Sequence, residues 1–379
     1  MARHERTSAA CGALVGVLMV VALGACGGGG GSAGPTGVAG AGTATGASTG
    51  AATGTASGAS ATSGTGGASA ASGSAAASNP STSTPSSGAA ATVLKLSTGV
   101  QNQTVAKDAA ASGMLSSVGV AGLYMAAARP FLTAALAGAP AATANCAKGG
   151  TVATVVSNVG APGLRAGETA SVSFAQCVGQ ITAPELSSAD ALGGGLNFAV
   201  QSVQGVVGSR TANWSYTATE TANALAIESS NATTTFSGTV AYTVAYDAAT
   251  ATLTTTASAP SITIGRTQTS ASVGTTLDGS IAVTSLAWTD LDNVVSATES
   301  LSASCAVSDG VEGVTLAFNV TTPVPLTIAN GAITAGTQQL ATSDTTETIV
   351  AQNATTFLLT VTSQGVTGVW TQSAGSLAS

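Results

Sequence analysis

The densest group of acidic side chains in the chain is the stretch Thr289-Asp290-Leu291-Asp292-Asn293. Carboxylates placed close together supply the oxygen ligands that Ca²⁺ prefers, and this ion needs several of them. The position that would provide the third ligand of a calcium loop is Val294, however, and no glycine follows it to shape the loop. We therefore predict a solvated turn here and no metal site.

A second acidic pair, Asp309 and Glu312, flanks a predicted turn at Gly310. Two carboxyl groups at a suitable distance carry out glycoside hydrolysis. Sequence spacing does not fix that distance, and the aromatic residues that would form a substrate platform make up only 3% of the chain. We therefore predict no catalytic residue, and a carboxylate-dependent hydrolase is a minor alternative.

Cys26 is the residue with the clearest chemical context. It follows Leu23-Gly24-Ala25 at the end of an apolar run that is too short for a permanent membrane span and is preceded by Arg3 and Arg6. A Leu and two small residues before a Cys resemble the lipobox of bacterial lipoproteins. The resemblance implies cleavage of residues 1–25 as a signal peptide and a diacylglycerol thioether on Cys26. An ordinary cleaved signal peptide is the alternative.

The residue after Cys26 is Gly27 and not Asp. By the same resemblance, this implies sorting to the outer membrane of the bacterial cell envelope, with the protein on its periplasmic or exterior face. Several acyl chains on one cysteine would hold the protein stably in the bilayer. The membrane is therefore the one partner that we expect with a defined attachment point.

Histidine chemistry is excluded from the expected mature chain, because the only histidine is His4. Without imidazole there is no Ser-His-Asp or Cys-His nucleophile, no histidine-ligated zinc and no histidine acid–base catalysis. The stretch Gly46-Ala47-Ser48-Thr49-Gly50 matches the nucleophile elbow of hydrolases in form, but its composition makes a chance match the better explanation. We predict a protein that is not an enzyme and that uses no cofactor.

The charge of the chain limits its partners. Charged residues make up 7% of it, well below the roughly 25% of an average soluble protein. The basic residues after Cys26 are scattered: Lys95, Lys107, Arg129, Lys148, Arg165, Arg210 and Arg266. Nucleic-acid binding and a polybasic hold on anionic lipid both need clustered cations, so we exclude both.

The chain divides by composition. Residues 26–90 are almost entirely Gly, Ala, Ser and Thr, without a charge or an aromatic group, and predict a disordered linker because they cannot bury enough apolar surface to order. Residues 91–379 predict a β-rich domain. Its segment from about residue 104 to 138 is Ala-rich with helical spacing, interrupted by glycines and Pro130, and predicts one or two short helices against a sheet. A membrane-inserted hairpin is the alternative.

From Thr151 onward, large apolar residues alternate with small polar ones, as in Val240, Tyr242, Val244 and Tyr246. Period two with one apolar face is typical of antiparallel strands covered on one side. Turn signals separate the strands: Gly160–Gly163, Gly193–Gly195, Asp247-Ala248, Asp278-Gly279, Asp309-Gly310 and Asn330-Gly331. The predicted fold is mainly β, a large antiparallel meander forming an open half-barrel or a sandwich.

Three cysteines remain after Cys26, namely Cys146, Cys177 and Cys305. An exported protein meets an oxidising compartment, so a disulfide is expected. We favour Cys146 with Cys177, because the segment between them predicts two strands and a turn, and a bridge to Cys305 is the alternative. The sequence around Cys146-Ala147-Lys148-Gly149-Gly150 and from Ala166 to Cys177 also resembles uncharacterised β-rich lipoproteins of proteobacteria, which implies the same disulfide-pinned hairpin and no known activity.

The aromatic residues leave two functions open. Most of the large ones after residue 200 are Trp214, Tyr216, Tyr242, Tyr246, Trp288 and Trp370. If they fill the core, the domain is a non-enzymatic structural or interaction module that meets an envelope protein. If some of them line a cavity between the sheet and the helices, it is a lipid or apolar-ligand binding protein.

We expect Cys26→Ala to release the protein from membranes, because this substitution removes the only predicted lipid attachment. The measurement is the distribution of the protein between membrane and soluble fractions. Cys11→Ala changes the other cysteine of the N-terminal segment and should leave the protein in the membrane fraction. Retention of the Cys26→Ala protein in membranes would show that the anchor assignment is wrong.

Overall fold

The structure is a computed structural model that describes residues 92–157, 162–180, 189–269, 276–296, 298–311, 314–329 and 331–377. The predicted signal peptide of residues 1–25, Cys26 and the predicted linker of residues 26–90 lie outside these ranges. So do Gly46–Gly50 and Glu312. The predicted β-rich domain is described from Thr92 onward.

One long helical segment follows a short strand β1 (Thr92–Val93) and a 3-10 helix (Leu96–Val100). It consists of α1 (Gln103–Met114), a π-helical turn (Leu115–Gly119) and α2 (Val120–Ala137), 35 residues in all. The Asn102 side chain caps its start by accepting from the backbone N–H groups of Thr104 and Val105. Gly138 ends it in the left-handed conformation, with φ of 69°. A last helical turn, α3 (Ala374–Leu377), closes the chain.

The predicted Ala-rich helical region is confirmed, but it forms one continuous segment that is longer than expected, because the glycines and Pro130 lie within it. Burial overrides the poor helix propensity of glycine here. At Gly113 a Cβ would lie 2.5 Å from Leu340 Cδ2, so the Leu340 side chain would have to shift to accept a larger residue. The glycine therefore permits close approach of the helix to the sheet.

The helical segment is the core of the domain. Its mean hydropathy of 1.4 and its length would suit a membrane span, but 72% of its most apolar window is buried within the protein. Every residue from Ser116 to Tyr124 is buried. A helix that is buried all round needs neighbours on all sides, and strands supply them.

The strands form one antiparallel sheet in which each strand pairs with the next one along the chain. They are β2 (Ala141–Asn145), β3 (Gly149–Val156), β4 (Thr169–Val178), β5 (Ala191–Gln204), β6 (Trp214–Glu228), β7 (Ala232–Asp247), β8 (Thr252–Thr269), β9 (Thr276–Asn293), β10 (Thr298–Val311), β11 (Val314–Ala329), β12 (Ala332–Ala341), β13 (Thr345–Asn353), β14 (Thr356–Ser363) and β15 (Val366–Ser373). The order runs from β2 to β15 without a crossover, and β1 adds a short parallel pairing to β11. The predicted antiparallel meander is confirmed, as an open sheet.

The helical segment crosses the strands on the apolar face of the sheet. Its first part, α1, packs against β10 and β12–β14, the π-helical turn packs against β9 and β10, and α2 packs against β3–β6. Hydrogen bonds fix the crossing, since the Tyr242 hydroxyl donates to the Ala121 carbonyl at 2.8 Å and Gln338 Nε2 donates to Ser117 Oγ at 2.7 Å. We call this apolar face the inner face.

Some turn signals were misleading. Asp247-Ala248 does end β7, but Gly193–Gly195 and Asp278-Gly279 lie inside β5 and β9. Gly194 has φ of 66° at an irregularity in the pairing of β5 with β6. These glycines therefore bend a long strand and do not end it.

Cys146 and Cys177 form a disulfide with a Cα–Cα distance of 5.4 Å, as predicted. Cys146 follows β2 directly, and Cys177 lies near the end of β4. The bond therefore ties the turn after the first strand of the sheet to the strand two places along. Cys305 is a buried free thiol, with its pKa raised to about 12 by burial.

We expect the Cys146→Ala/Cys177→Ala variant to lose about 3 to 4 kcal/mol of unfolding free energy, because the unfolded chain is no longer constrained by a loop of this size. Urea unfolding with and without reductant is the measurement. The Cys305→Ala variant keeps the bond and should still respond to reductant, whereas the double variant should not. A reductant effect that persists in the double variant would contradict this assignment.

Candidate functional site

Three rows of inner-face side chains bring together most of the residues flagged in the sequence. The first row contains five side chains from neighbouring strands: Trp214 on β6, Tyr246 on β7, Leu253 on β8, Asp292 on β9 and Glu299 on β10. The second row contains Tyr216, Val244, Thr255, Asp290 and Leu301, and the third contains Ala218, Tyr242, Ala257, Trp288 and Ala303. We define the aromatic–acidic patch as Trp214, Tyr216, Tyr246, Trp288, Asp290, Asp292 and Glu299.

The alternation of β9 places its acids inside the protein. Trp288, Asp290 and Asp292 share the inner face, whereas Leu291 points outward and is 44% exposed. The strand continues to Asn293, whose side chain caps the turn that follows by accepting from the N–H groups of Val295 and Ser296. The prediction of a solvated turn at residues 289–293 is therefore wrong, because the turn begins after these residues.

The aromatic members of the patch form a stacked wall. The Trp214 ring lies 5.8 Å from the Tyr246 ring and 6.4 Å from the Tyr216 ring, between centroids. Trp214 Nε1 donates to the Ser209 carbonyl at 2.8 Å, and the Tyr246 hydroxyl donates to the Arg210 carbonyl at 3.4 Å. Both bonds hold the loop of residues 205–213 against this end of the sheet.

Several polar atoms of the patch are buried without a partner. Asp292 is 0% exposed and neither of its carboxyl oxygens accepts a hydrogen bond. Asp290 is 2% exposed with Oδ1 unpaired, and Trp288 Nε1 is also unpaired. Unpaired buried polar atoms are costly and rare in native proteins, so this patch is the least satisfied part of the described core.

Burial and mutual repulsion favour the neutral form of these acids. Burial, then the charges of Glu299 and Asp292, raise the pKa of Asp290 well above its ordinary value. Burial raises the pKa of Asp292 to about 6. Burial and the neighbouring Asp292 raise the pKa of Glu299. The carboxyls of the patch therefore keep their protons to a higher pH than exposed carboxyls do.

Two further acids, Glu220 and Glu347, lie on the inner face and were not predicted as site residues from the sequence. Glu220 on β6 is 1% exposed, and its charge raises the pKa values of Tyr216 and Tyr242 further, after burial. Glu347 on β13 is 0% exposed with both oxygens unpaired, and burial raises its pKa to about 8. Each stands in phase with the apolar residues of its strand, and this phase could have identified both.

The remaining predicted residues lie elsewhere. Asp309 accepts from Arg266 Nη2 at 2.6 Å and from the Ser112 hydroxyl, so it joins β10 to β8 and to α1. Trp370 on β15 donates to the Gly99 carbonyl at 2.9 Å and anchors the 3-10 helix. Asp309 and Trp370 have structural contacts, and Glu312, Gly46–Gly50 and Cys26 lie outside the described residues.

The opposite face of the sheet has a different chemistry. A row of hydroxyl side chains runs across six strands: Ser202, Thr217, Thr243, Thr256, Thr289 and Ser302. Four of them line an open cleft of about 410 Å³ with Gln201, Ser258 and several alanines. Uncharged hydroxyls thus replace the charged side chains that usually solvate an outer face.

Within the described ranges, no group of three or more His, Cys, Asp or Glu side chains is placed to hold a metal ion. Comparisons of the chain with protein-family models, with curated proteins and with solved structures find no match. The site is therefore interpreted from its own geometry.

The buried acids predict that the folded protein is most stable in acid. A carboxyl whose pKa is raised by folding stabilises the fold fully below its unfolded pKa of roughly 4, and this contribution is lost as the pH rises through the folded pKa. We expect the unfolding free energy to fall between about pH 4 and pH 8 by on the order of a few kcal/mol. Urea unfolding at a series of pH values measures this.

Glu347→Gln keeps the shape of the side chain and cannot ionise. It should raise stability at pH 8 relative to the unmodified protein and leave stability at pH 4 nearly unchanged. Asp278→Asn removes one negative charge from an exposed side chain and controls for net charge. Equal effects of the two substitutions at pH 8 would contradict the assignment of Glu347 as a buried neutral acid.

Proposed function

We propose that this protein is a lipoprotein, anchored to the outer membrane through Cys26, whose β domain is a non-enzymatic structural or interaction module. The observation that carries the proposal is the filling of the inner face by the helical segment of the same chain. The buried run from Ser116 to Tyr124 occupies the space that a carrier would leave for its ligand.

The two ends of the sheet support an interaction role. In the described part of the chain no strand lies beside the outer edge of β2 or of β15. Neither strand contains a charged residue or a proline, which are the usual devices that block pairing with another chain. All five residues of β2 are exposed. These edges offer backbone donors and acceptors to an envelope protein that adds a strand.

A second function, binding of a lipid or another apolar ligand, is favoured by one specific observation. The aromatic–acidic patch combines a wall of stacked rings with unpaired polar atoms on Trp288, Asp290 and Asp292. A ligand with an apolar body and a polar end would satisfy both. This function requires the patch to open.

Native mass spectrometry of the Cys26→Ala protein, purified gently from bacterial cells, separates these functions. We expect a single mass equal to that of the polypeptide, because the inner face is already occupied by the protein itself. The same sample under denaturing conditions is the control, since a non-covalent ligand disappears there and a covalent modification does not. A mass difference of lipid size found only under native conditions would overturn the module and favour the carrier.

A further inference from the structure

The three carboxyl groups of the aromatic–acidic patch are placed where ionisation would drive two strands apart. Asp292 and Glu299 are direct cross-strand partners next to the turn between β9 and β10, and Asp290 stands in the adjacent row. Directly opposed side chains of an antiparallel pair have Cβ atoms about 5 Å apart, and like charges there are destabilising. In a buried site that repulsion is larger than at the surface.

The side chains directly in register with these acids on the two flanking strands are uncharged. The side chains in register with these acids are Leu253 and Thr255 on β8, and Leu326 and Ile328 on β11. Beyond β8 stand Tyr246 and Val244, and the loop that covers this end offers the Ser209 and Arg210 carbonyls, with the Arg210 residue itself exposed. Toward the π-helical turn come Trp288, Cys305 and the serines Ser116 and Ser117.

The helical segment is hydrogen-bonded to the sheet next to this end. Its hydrogen bonds to the strands reach the third row, where the Tyr242 hydroxyl holds the Ala121 carbonyl. The first and second rows lie beyond that point, toward the turns. Two ion pairs, Lys107 with Asp108 and Arg266 with Asp309, lie away from these rows. Separation confined to the first two rows would leave the bond between Tyr242 and Ala121 intact.

We propose that this end of the sheet is a proton-controlled gate: with Asp290, Asp292 and Glu299 protonated it is closed, and as they ionise the adjoining ends of β9 and β10 separate locally and uncover the aromatic wall. The change releases protons to water and breaks no covalent bond.

Hydrogen–deuterium exchange of the purified full chain tests the gate directly. We expect amides of residues 286–304, corrected for intrinsic exchange rates, to open more as the pH rises from 5 to 8. Each carboxyl that keeps its proton only in the closed form raises the equilibrium constant for opening by up to about tenfold per pH unit, at pH values between its pKa in the open form and its pKa in the closed form. Amides of β13 and β14 are the internal reference and should show a smaller change.

Substitutions of the three acidic residues test whether their ionisation causes the opening. Asp290→Asn/Asp292→Asn/Glu299→Gln should abolish the extra opening, and the single change Asp292→Asn should reduce it if the triple variant folds poorly. Glu347→Gln removes another buried acid on a distant strand and should leave the opening of residues 286–304 intact. Opening that persists in the folded triple variant, or that is lost in Glu347→Gln, would overturn the gate.

Tryptophan fluorescence gives an independent readout in Trp370→Phe, which leaves only Trp214 and Trp288. Acrylamide quenching should rise severalfold with pH while the far-ultraviolet circular dichroism stays constant. Simultaneous loss of the circular dichroism signal would mean global unfolding and would contradict a local gate. Saturable suppression by Ca²⁺, reversed by a chelator, would show a cation site in place of a gate.

Discussion

Burial of the helical segment is the constraint on which the rest of this structure depends. A helix that is apolar on one stripe can rest on a few strands, but the run from Ser116 to Tyr124 is buried throughout, and the helical segment packs against strands from β3 to β14. A meander of many long strands supplies these contacts without any crossover. The inner-face alternation of each strand, the hydroxyl-rich outer face and the close approach at Gly113 all follow from enclosing one helix.

The same enclosure explains the unusual state of the acids. Asp290, Asp292 and Glu347 lie on the apolar side of their strands, where an ionised carboxylate without a partner would cost far more than a neutral one. In this buried position the protonated, neutral form of each carboxyl has a lower free energy, relative to the ionised form, than it would have at the surface. The domain therefore tolerates buried acids at the expense of stability at higher pH, and the acids at one end of the sheet are also the ones nearest to its turns.

Alternation along the chain was enough to predict the fold class, the direction of the strands and the disulfide between Cys146 and Cys177, because each depends on local pattern or on short-range pairing. The continuity of the helix was not predictable, since burial among strands far away in sequence outweighs the cost of Gly113 and Pro130. Residues 289–293 were misread because acidic residues usually mark turns. Asp290 and Asp292 follow Trp288 at every second position, which predicts that they share its buried face. The same alternation with apolar residues would have identified Glu220 and Glu347 as buried.

An open sheet with so few charges must still protect its two ends. At one end the disulfide joins the turn after β2 to β4, so the turn between β2 and β3 is covalently fixed to the neighbouring strand. At the other end the 3-10 helix packs on β15, and Trp370 holds it through the Gly99 carbonyl. Neither device blocks the backbone groups on the outer edge as a charge or a proline would. Both ends are thus held in place, while within the described ranges no strand covers the outer edge of β2 or of β15.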